Sequence, residues 1–317
     1  MKQNLVNIVE LDKLLQNSHK VLIGVSGGAD SMALLHTILR YRDVLNKEFK
    51  VLHVDHQISK ESADWSDVVM KYCNDTNIEC EIAKVNVTDW GKNLEQAARY
   101  ARYDAFSKQN CDTILLAHHA NDQIETFFLK LLRGSGVKGL KGMSVATPCW
   151  FDTNKTIVRP FLGCNRRDIE EYVSVYSIPY ITDPSNSDTK FDRNWVRHKL
   201  VPMIEDRNSL ADLNILKCVG IQQETYSLLN DLADIDRTAC TLPSGDLDWT
   251  KVKQLPVARI KNMFMHICSL HDVVDVSTHN IEAFANGLLV ADTDSKNEMR
   301  MKTFYIRKLG KRILINK

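Results

Sequence analysis

The sequence predicts an α/β protein: a parallel, Rossmann-like sheet of roughly five strands with helices on both faces, then a smaller, mainly helical C-terminal domain. Three observations carry this. Short apolar runs alternate with segments of helical periodicity as far as Leu132. The first run feeds straight into a Gly-rich turn. Beyond Pro202 the alternation gives way to helical patterns and, after Leu242-Pro243-Ser244-Gly245, to short mixed segments.

Val21 to Val25 is nearly all apolar and reads as strand one. The turn Ser26 to Ser31 follows, and Met32-Ala33-Leu34-Leu35, Ile38-Leu39 and Tyr41 then recur at helical spacing. Lys50 to Val54 reads as a second strand, Ala63 to Asn74 as a helix, Glu81 to Val85 as a third strand, Leu94 to Gln109 as a helix and Thr113 to Ala117 as a fourth strand. Strands without polar alternation, separated by helices, belong to a parallel sheet covered on both faces. Ligands of such sheets bind beyond the carboxyl ends of the strands. The polar segments there are Ser26 to Ser31, Asp55-His56 and His118 to Asp122. After a helix from Ile124 to Leu132 the alternation stops. Gly134, Gly136, Gly139 and Gly142 punctuate what reads as a long loop reaching Arg159-Pro160, with a helix from Arg166 to Tyr176 beyond it. A domain boundary is expected between residues 207 and 217, giving domains 1–212 and 213–317.

With 317 residues, 44% hydrophobic and 26% charged, the chain has the composition of an ordinary globular protein. Its net charge of +1 excludes nothing about nucleic acid or membranes. Between Lys296 and Lys317, however, eight basic residues face the single acid Glu298. That excess suits either phosphate contacts or an amphipathic terminal hairpin. Eight cysteines are scattered with no Cys-x-x-Cys pair, which suggests reduced thiols rather than a disulfide frame or a zinc site. Met1 to Lys20 has no apolar core and no run approaches the length of a membrane span, so the expectation is cytoplasmic, with no membrane partner.

The chemistry concentrates in three places. In Ser26-Gly27-Gly28-Ala29-Asp30-Ser31, two glycines let the backbone approach an anion while the following helix offers free N–H groups and its positive dipole end. No Gly-Lys-Ser/Thr follows, so this is not a Walker A loop. In His118-His119-Ala120-Asn121-Asp122-Gln123-Ile124-Glu125-Thr126, the residues Asp122, Glu125 and Thr126 share one helical face. By itself this segment suits a helix cap as well as catalysis, and the adjacent histidines lack a third ligand at zinc spacing. Arg99 and Arg102, and likewise Arg193 and Arg197, read in isolation as solvated helix residues.

The first string matches the Ser-Gly-Gly-x-Asp-Ser signature of the PP-loop ATP pyrophosphatases. Several further strings extend the match over residues 20–203. They are Asn93-Leu94-Glu95-Gln96-Ala97-Ala98-Arg99-Tyr100-Ala101-Arg102-Tyr103, the His-His-x-x-Asp-Gln-x-Glu-Thr string, Leu132-Arg133-Gly134-Ser135-Gly136, Arg159-Pro160-Phe161-Leu162, Asp183-Pro184-Ser185-Asn186 and Asp192-Arg193-Asn194-Trp195-Val196-Arg197. As a series they resemble the tRNA(Ile) lysidine synthetases. Asn121 departs from the pattern, since many members carry an Asp there.

The resemblance implies an adenine nucleotide alpha hydrolase-like fold and cleavage of ATP between the α- and β-phosphates. It further implies attachment of L-lysine to C2 of the wobble cytidine in the CAU anticodon of a tRNA(Ile), through an adenylated base. Residues 26–31 (Ser26, Gly27, Gly28, Ala29, Asp30, Ser31) would hold ATP, with Mg²⁺ beside Asp30. Asp122 and Arg193 would act in catalysis, and Arg99 would touch phosphate or intermediate. Arg133, Lys138, Lys141 and the C-terminal domain would meet the tRNA. A homodimer is plausible by family analogy, and the additional C-terminal domain of longer members is not expected. A thiolation enzyme of the same superfamily is the nearest rival, although its usual cysteine pairs are missing.

Overall fold

The computed structural model describes residues 4–58, 62–91, 94–271, 278–301 and 304–316, with the backbone alone for Ala63, Glu95, Ser185 and Asn186. Asn93, Lys302 and Lys317, named above from the sequence, lie outside the described residues, as do the side chains of Glu95, Ser185 and Asn186. The chain divides into two compact units, Met1–Gly220 and Ile221–Lys317.

The first unit opens with α1 (Ile8–Leu14), where Asn7 caps the helix by accepting from the N–H groups of Val9 and Glu10. It buries Leu11, and Leu15 follows it into the core. The polar N-terminal sequence hid this helix, because only two of its residues face inward. There follow β1 (Lys20–Gly24), α2 (Ala29–Leu45), β2 (Glu48–Asp55), α3 (Ser62–Asp75), β3 (Glu79–Lys84), α4 (Leu94–Ser107), β4 (Thr113–Leu115) and α5 (Ala120–Leu132). Val21, Ile23, Val51 and Leu115 point to one face of the sheet, against Met32, Leu35 and Ile38 of α2. Leu22, Leu52, Ile114 and Leu116 point to the other, against Tyr103 and Phe106 of α4. Burial on both faces is why these strands read as unbroken apolar runs.

The sheet has six strands rather than about five, in the order β3-β2-β1-β4-β6-β5. The two extra strands lie in the stretch expected to be a loop. It contains α6 (Val137–Leu140) and an antiparallel hairpin of β5 (Ala146–Cys149) with β6 (Asp152–Val158). β5 sits at the sheet edge, where Pro148 is tolerated. β6 begins with Asp152-Thr153-Asn154-Lys155 and buries apolar groups only at Ile157 and Val158, so neither strand carries an apolar run. The strands on either side of β1 are reached by crossovers in opposite directions, to β2 and to β4. That reversal opens a crevice above the carboxyl ends of β1 and β4, where doubly wound folds bind ligands.

Beyond β6 come α7 (Arg166–Val175), α8 (Asp192–Trp195), a π-helical turn over Val196–Leu200 and α9 (Val201–Arg207). The long helix α10 (Ala211–Cys240) runs across the division between the units.

In the second unit, α10 is followed by β7 (Leu247–Asp248), α11 (Trp249–Val252), α12 (Val257–Leu270), α13 (Thr278–Val290), β8 (Asn297–Arg300), β9 (Tyr305–Leu309) and β10 (Arg312–Asn316). Ile260, Met263, Phe264 and Ile267 of α12 meet Ile281, Phe284 and Leu288 of α13 in its core. The unit is mainly helical, and its strands form an antiparallel sheet ordered β7-β10-β9-β8. The basic terminal stretch therefore is a hairpin, and part of its charge is structural. Lys308 is fully buried, and its Nζ donates to the carbonyls of Asp292, Thr293 and Ser295 at 2.6, 3.1 and 3.0 Å. Arg300 and Arg307 both pair with Glu298. Among the described residues no helix is long and apolar enough to cross a membrane, and all eight cysteines are free thiols.

Candidate functional site

The three polar segments that follow β1, β2 and β4 line one cavity of about 810 Å³ in the first unit, together with residues of α4 and of the 181–194 segment. Its floor is the Gly-rich turn. Gly27 has φ of +87°, a left-handed conformation that L side chains rarely adopt. Its carbonyl accepts from the N–H of Ile181 at 2.9 Å, which ties the turn to the distant loop. Gly28 is the N-cap of α2 and offers no side chain, so the first N–H groups of the helix stay open toward the cavity. Ser31 holds the turn closed: its Oγ donates to the Gly28 carbonyl at 3.0 Å and accepts from the Ser26 N–H at 3.1 Å. Ala29 contributes backbone, and Asp30 stands in the first turn of α2.

A Cβ on Gly27 would lie 2.8 Å from Ile181 Cδ1, in a backbone conformation already strained for alanine. Gly27→Ala is therefore expected to cost about 1–2 kcal/mol of stability. By shifting the turn, it should also raise the KM for ATP roughly 10- to 100-fold. Thermal melting and ATP-dependent kinetics of the purified variant check both; an unchanged KM would show that the turn does not position the nucleotide.

Above the turn lies a charged cluster. His119 is the N-cap of α5, and Asp122 at the third helical position accepts the His119 N–H at 2.9 Å. The Asp122–Glu125 pair is thus not the capping box its spacing suggested, since the cap lies one turn earlier. The His119 ring is buried, with Nε2 at 3.6 Å from an oxygen of Asp30 and 3.6 Å from one of Asp122. Burial opposes charging of this imidazole, but the hydrogen bond to Asp30 and the charge of Asp122 outweigh it and raise its pKa. Burial likewise pushes Asp122 upward, and the charges of His119 and Arg193 more than reverse this, holding its carboxyl below the usual range.

Arg193 and Arg197 are not a surface stripe. Arg193 Nη2 donates to Asp122 Oδ1 at 2.6 Å and its Nε to Glu125 Oε2 at 2.6 Å. Arg197 grips Glu125 through Nε at 2.6 Å and Nη2 at 3.2 Å. The i, i+3 spacing on α5 presents the two carboxylates side by side, and α8 with the π-helical turn brings the two guanidinium groups down onto them. Asp30, Asp122 and Arg193 all border the cavity.

The remaining sequence-derived residues lie apart. Arg99 is not on the cavity wall; its guanidinium lies over the Tyr103 ring, 5.3 Å from the centroid. Arg102 of the same helix does line it. Leu94, Ala98, Arg102 and Phe106 recur every four residues and form one face of α4, a signal the sequence contained and the reading as solvated residues passed over. Arg133 is exposed and pairs with Asp192 at 3.5 Å, and Lys138 is exposed on α6 near Lys141. Two histidines escaped assignment. His118, behind β4, and His56, behind β2, border the cavity, and the Nδ1 of each is buried without a hydrogen-bond partner. Burial first, with the charge of Arg102 contributing, lowers His56 to about 4 and His118 to about 3, so both rings are neutral at physiological pH.

The family model described as the PP-loop domain matches residues 2–204. A tRNA(Ile)-lysidine synthase of Nitrosomonas europaea is 34% identical over 251 residues, covering 78% of this chain and 54% of that protein. One from Legionella pneumophila strain Lens is 31% identical over 305 residues, 96% of this chain and 70% of that protein. Against the first of these relatives the chain spans about half the length, 54%. Among solved structures, the U34-tRNA thiolase NcsA from Methanococcus maripaludis with its [4Fe-4S] cluster superposes with a TM-score of 0.54 at 16% identity, covering 68% of this chain and 78% of that one. At that identity the likeness concerns the fold.

Proposed function

Because the chain belongs to the PP-loop family and, within it, to the tRNA(Ile)-lysidine synthases, we propose that it ligates L-lysine to C2 of the wobble cytidine in a CAU-anticodon tRNA(Ile), consuming ATP and releasing AMP and pyrophosphate. The observation that carries this reading is the convergence of the Gly-rich turn and the Asp122–Arg193 pair on one cavity.

The C2 oxygen of cytosine is a poor leaving group. It attacks the α-phosphorus, the bond to the β-phosphate breaks, and pyrophosphate departs. The lysine ε-amine then attacks C2 and expels AMP. Residues 26–31 hold the β- and γ-phosphates on backbone N–H groups at the start of α2, where negative charge is favoured. Magnesium ions usually take one or two carboxylates together with phosphate oxygens and water. Asp30, with its side chain 39% exposed, fits as that carboxylate, and among the described residues no three metal-binding side chains form a separate cage. The bound ion would offset the charge of the triphosphate.

Arg193 supplies a guanidinium whose direction is fixed by two carboxylates, suited to an oxyanion. Asp122 acts in orientation: one of its oxygens accepts from Arg193 and the other from the His119 N–H. A carboxylate so committed is a poor base for an ammonium whose unperturbed pKa is about 10.4. Arg133, Lys138 and Lys141 on the exposed end of α5 and α6, with the C-terminal unit, contact tRNA phosphates, the shape-based mode expected for structured RNA.

Incubation with ATP, Mg²⁺, labelled L-lysine and an unmodified CAU-anticodon tRNA(Ile) tests the reading. Label should enter the tRNA with one AMP released for each lysine incorporated. No incorporation beside an active control enzyme, or AMP release that ignores tRNA, would overturn it.

A further inference from the structure

We propose that Arg102, together with the unpartnered ring nitrogens of His56 and His118, forms the receptor for the α-carboxylate and α-ammonium of the free amino acid. The inference rests on the ligase reading above and names the site of its second substrate.

Arg102 is a cation on the wall of the cavity with no ion-pair partner among the described residues. Burial, with the neighbouring guanidinium groups of Arg99 and Arg193, pulls it down from the ordinary arginine range, and no carboxylate offsets this. Holding a charge out of water without a counter-ion is costly, so such an arginine is complete only when an anion arrives. The nucleotide phosphates already have a cradle in residues 26–31. Around Arg102 the wall is apolar instead, made by Leu94, Ala98, Phe106 and Leu116. An aliphatic side chain suits that slot and a triphosphate does not.

Polarity along the cavity matches a lysine molecule. His118 feels the charge of Asp122 on one side and of Arg102 on another, so it stands between an acidic and a basic group. A guanidinium fork binds a carboxylate through two parallel hydrogen bonds. The buried Nδ1 atoms of His56 and His118 belong to neutral rings, which accept an N–H of the α-ammonium without repelling its charge. The ε-amine then extends toward Asp122, where attack on the adenylated base is proposed.

The test compares L-lysine with 1,5-diaminopentane, which has both amines and no carboxylate, in transfer to tRNA by the full chain. The unmodified protein should prefer lysine strongly. Arg102→Gln should erase that preference by raising the KM for L-lysine about 100-fold, with the KM for ATP and for tRNA unmoved. Arg102→Lys, which keeps the charge and loses the fork, should fall between and serves if the glutamine variant does not fold. An unchanged lysine-to-diamine ratio in both variants overturns the proposal. A rise in the KM for ATP or tRNA in place of lysine overturns it too, assigning Arg102 to a phosphate. Failure of the unmodified protein to incorporate lysine is a different result, because it removes the ligase reading and this inference with it.

Discussion

Arg193→Ala is expected to lower kcat/KM for lysine transfer by about 10²–10³-fold, the usual consequence of deleting a fixed donor aimed at developing negative charge. Stability should change far less. Asp122 keeps its hydrogen bond from the His119 N–H and has Arg197 at 3.7 Å, while Glu125 keeps both bonds from Arg197. Neither carboxylate is left as an uncompensated buried charge, so the variant should melt within a few degrees of the parent. Steady-state kinetics alongside thermal melting separates the two effects. Activity within about fivefold of the parent would take Arg193 out of the catalytic machinery.

Glu125→Ala should show the opposite balance. Its side chain is only 3% exposed, and it accepts from Arg193 once and from Arg197 twice. Removing it leaves two guanidinium groups side by side, with Asp122 to share between them. Breaking a buried ion pair from one side costs about 3–5 kcal/mol, which corresponds to a fall of roughly 10 °C in the melting temperature of a unit this size. Arg193 would also lose its direction, so activity falls with stability. A melting temperature unchanged by Glu125→Ala would mean that the cluster is solvated in solution and cannot orient Arg193. Together the two variants distinguish a residue that acts on substrate from one that positions it.

Local features were legible in the sequence because local chemistry decides them. The strand–turn–helix from Lys20 to Leu45 is specified by an apolar run, by glycines where the backbone turns and by helical spacing afterwards, and the structure keeps that order. The prediction that residues beyond β1, β2 and β4 share a ligand site held, because parallel strands all end on the same edge. The β5–β6 hairpin was missed, since an edge strand with Pro148 and a partner that begins with four polar residues carry little apolar pattern. Arg99 and Arg102 are indistinguishable by charge and lie three residues apart. Only the packing of α4 against Leu22 and Leu52 turns one toward Tyr103 and the other toward the cavity.

By itself the sequence determined the α/β class, the Gly-rich anion turn and the identity of the acidic and basic groups available for chemistry. Those follow from periodicity and from backbone conformations that only glycine adopts freely. The tertiary structure alone decided which charges meet. Asp122 and Arg193 are separated by a hairpin and three helices, and their 2.6 Å contact exists because α5 and α8 are folded against one another. An ion pair needs two side chains within a few ångströms of each other, and spacing along a chain specifies that only within one turn of one element.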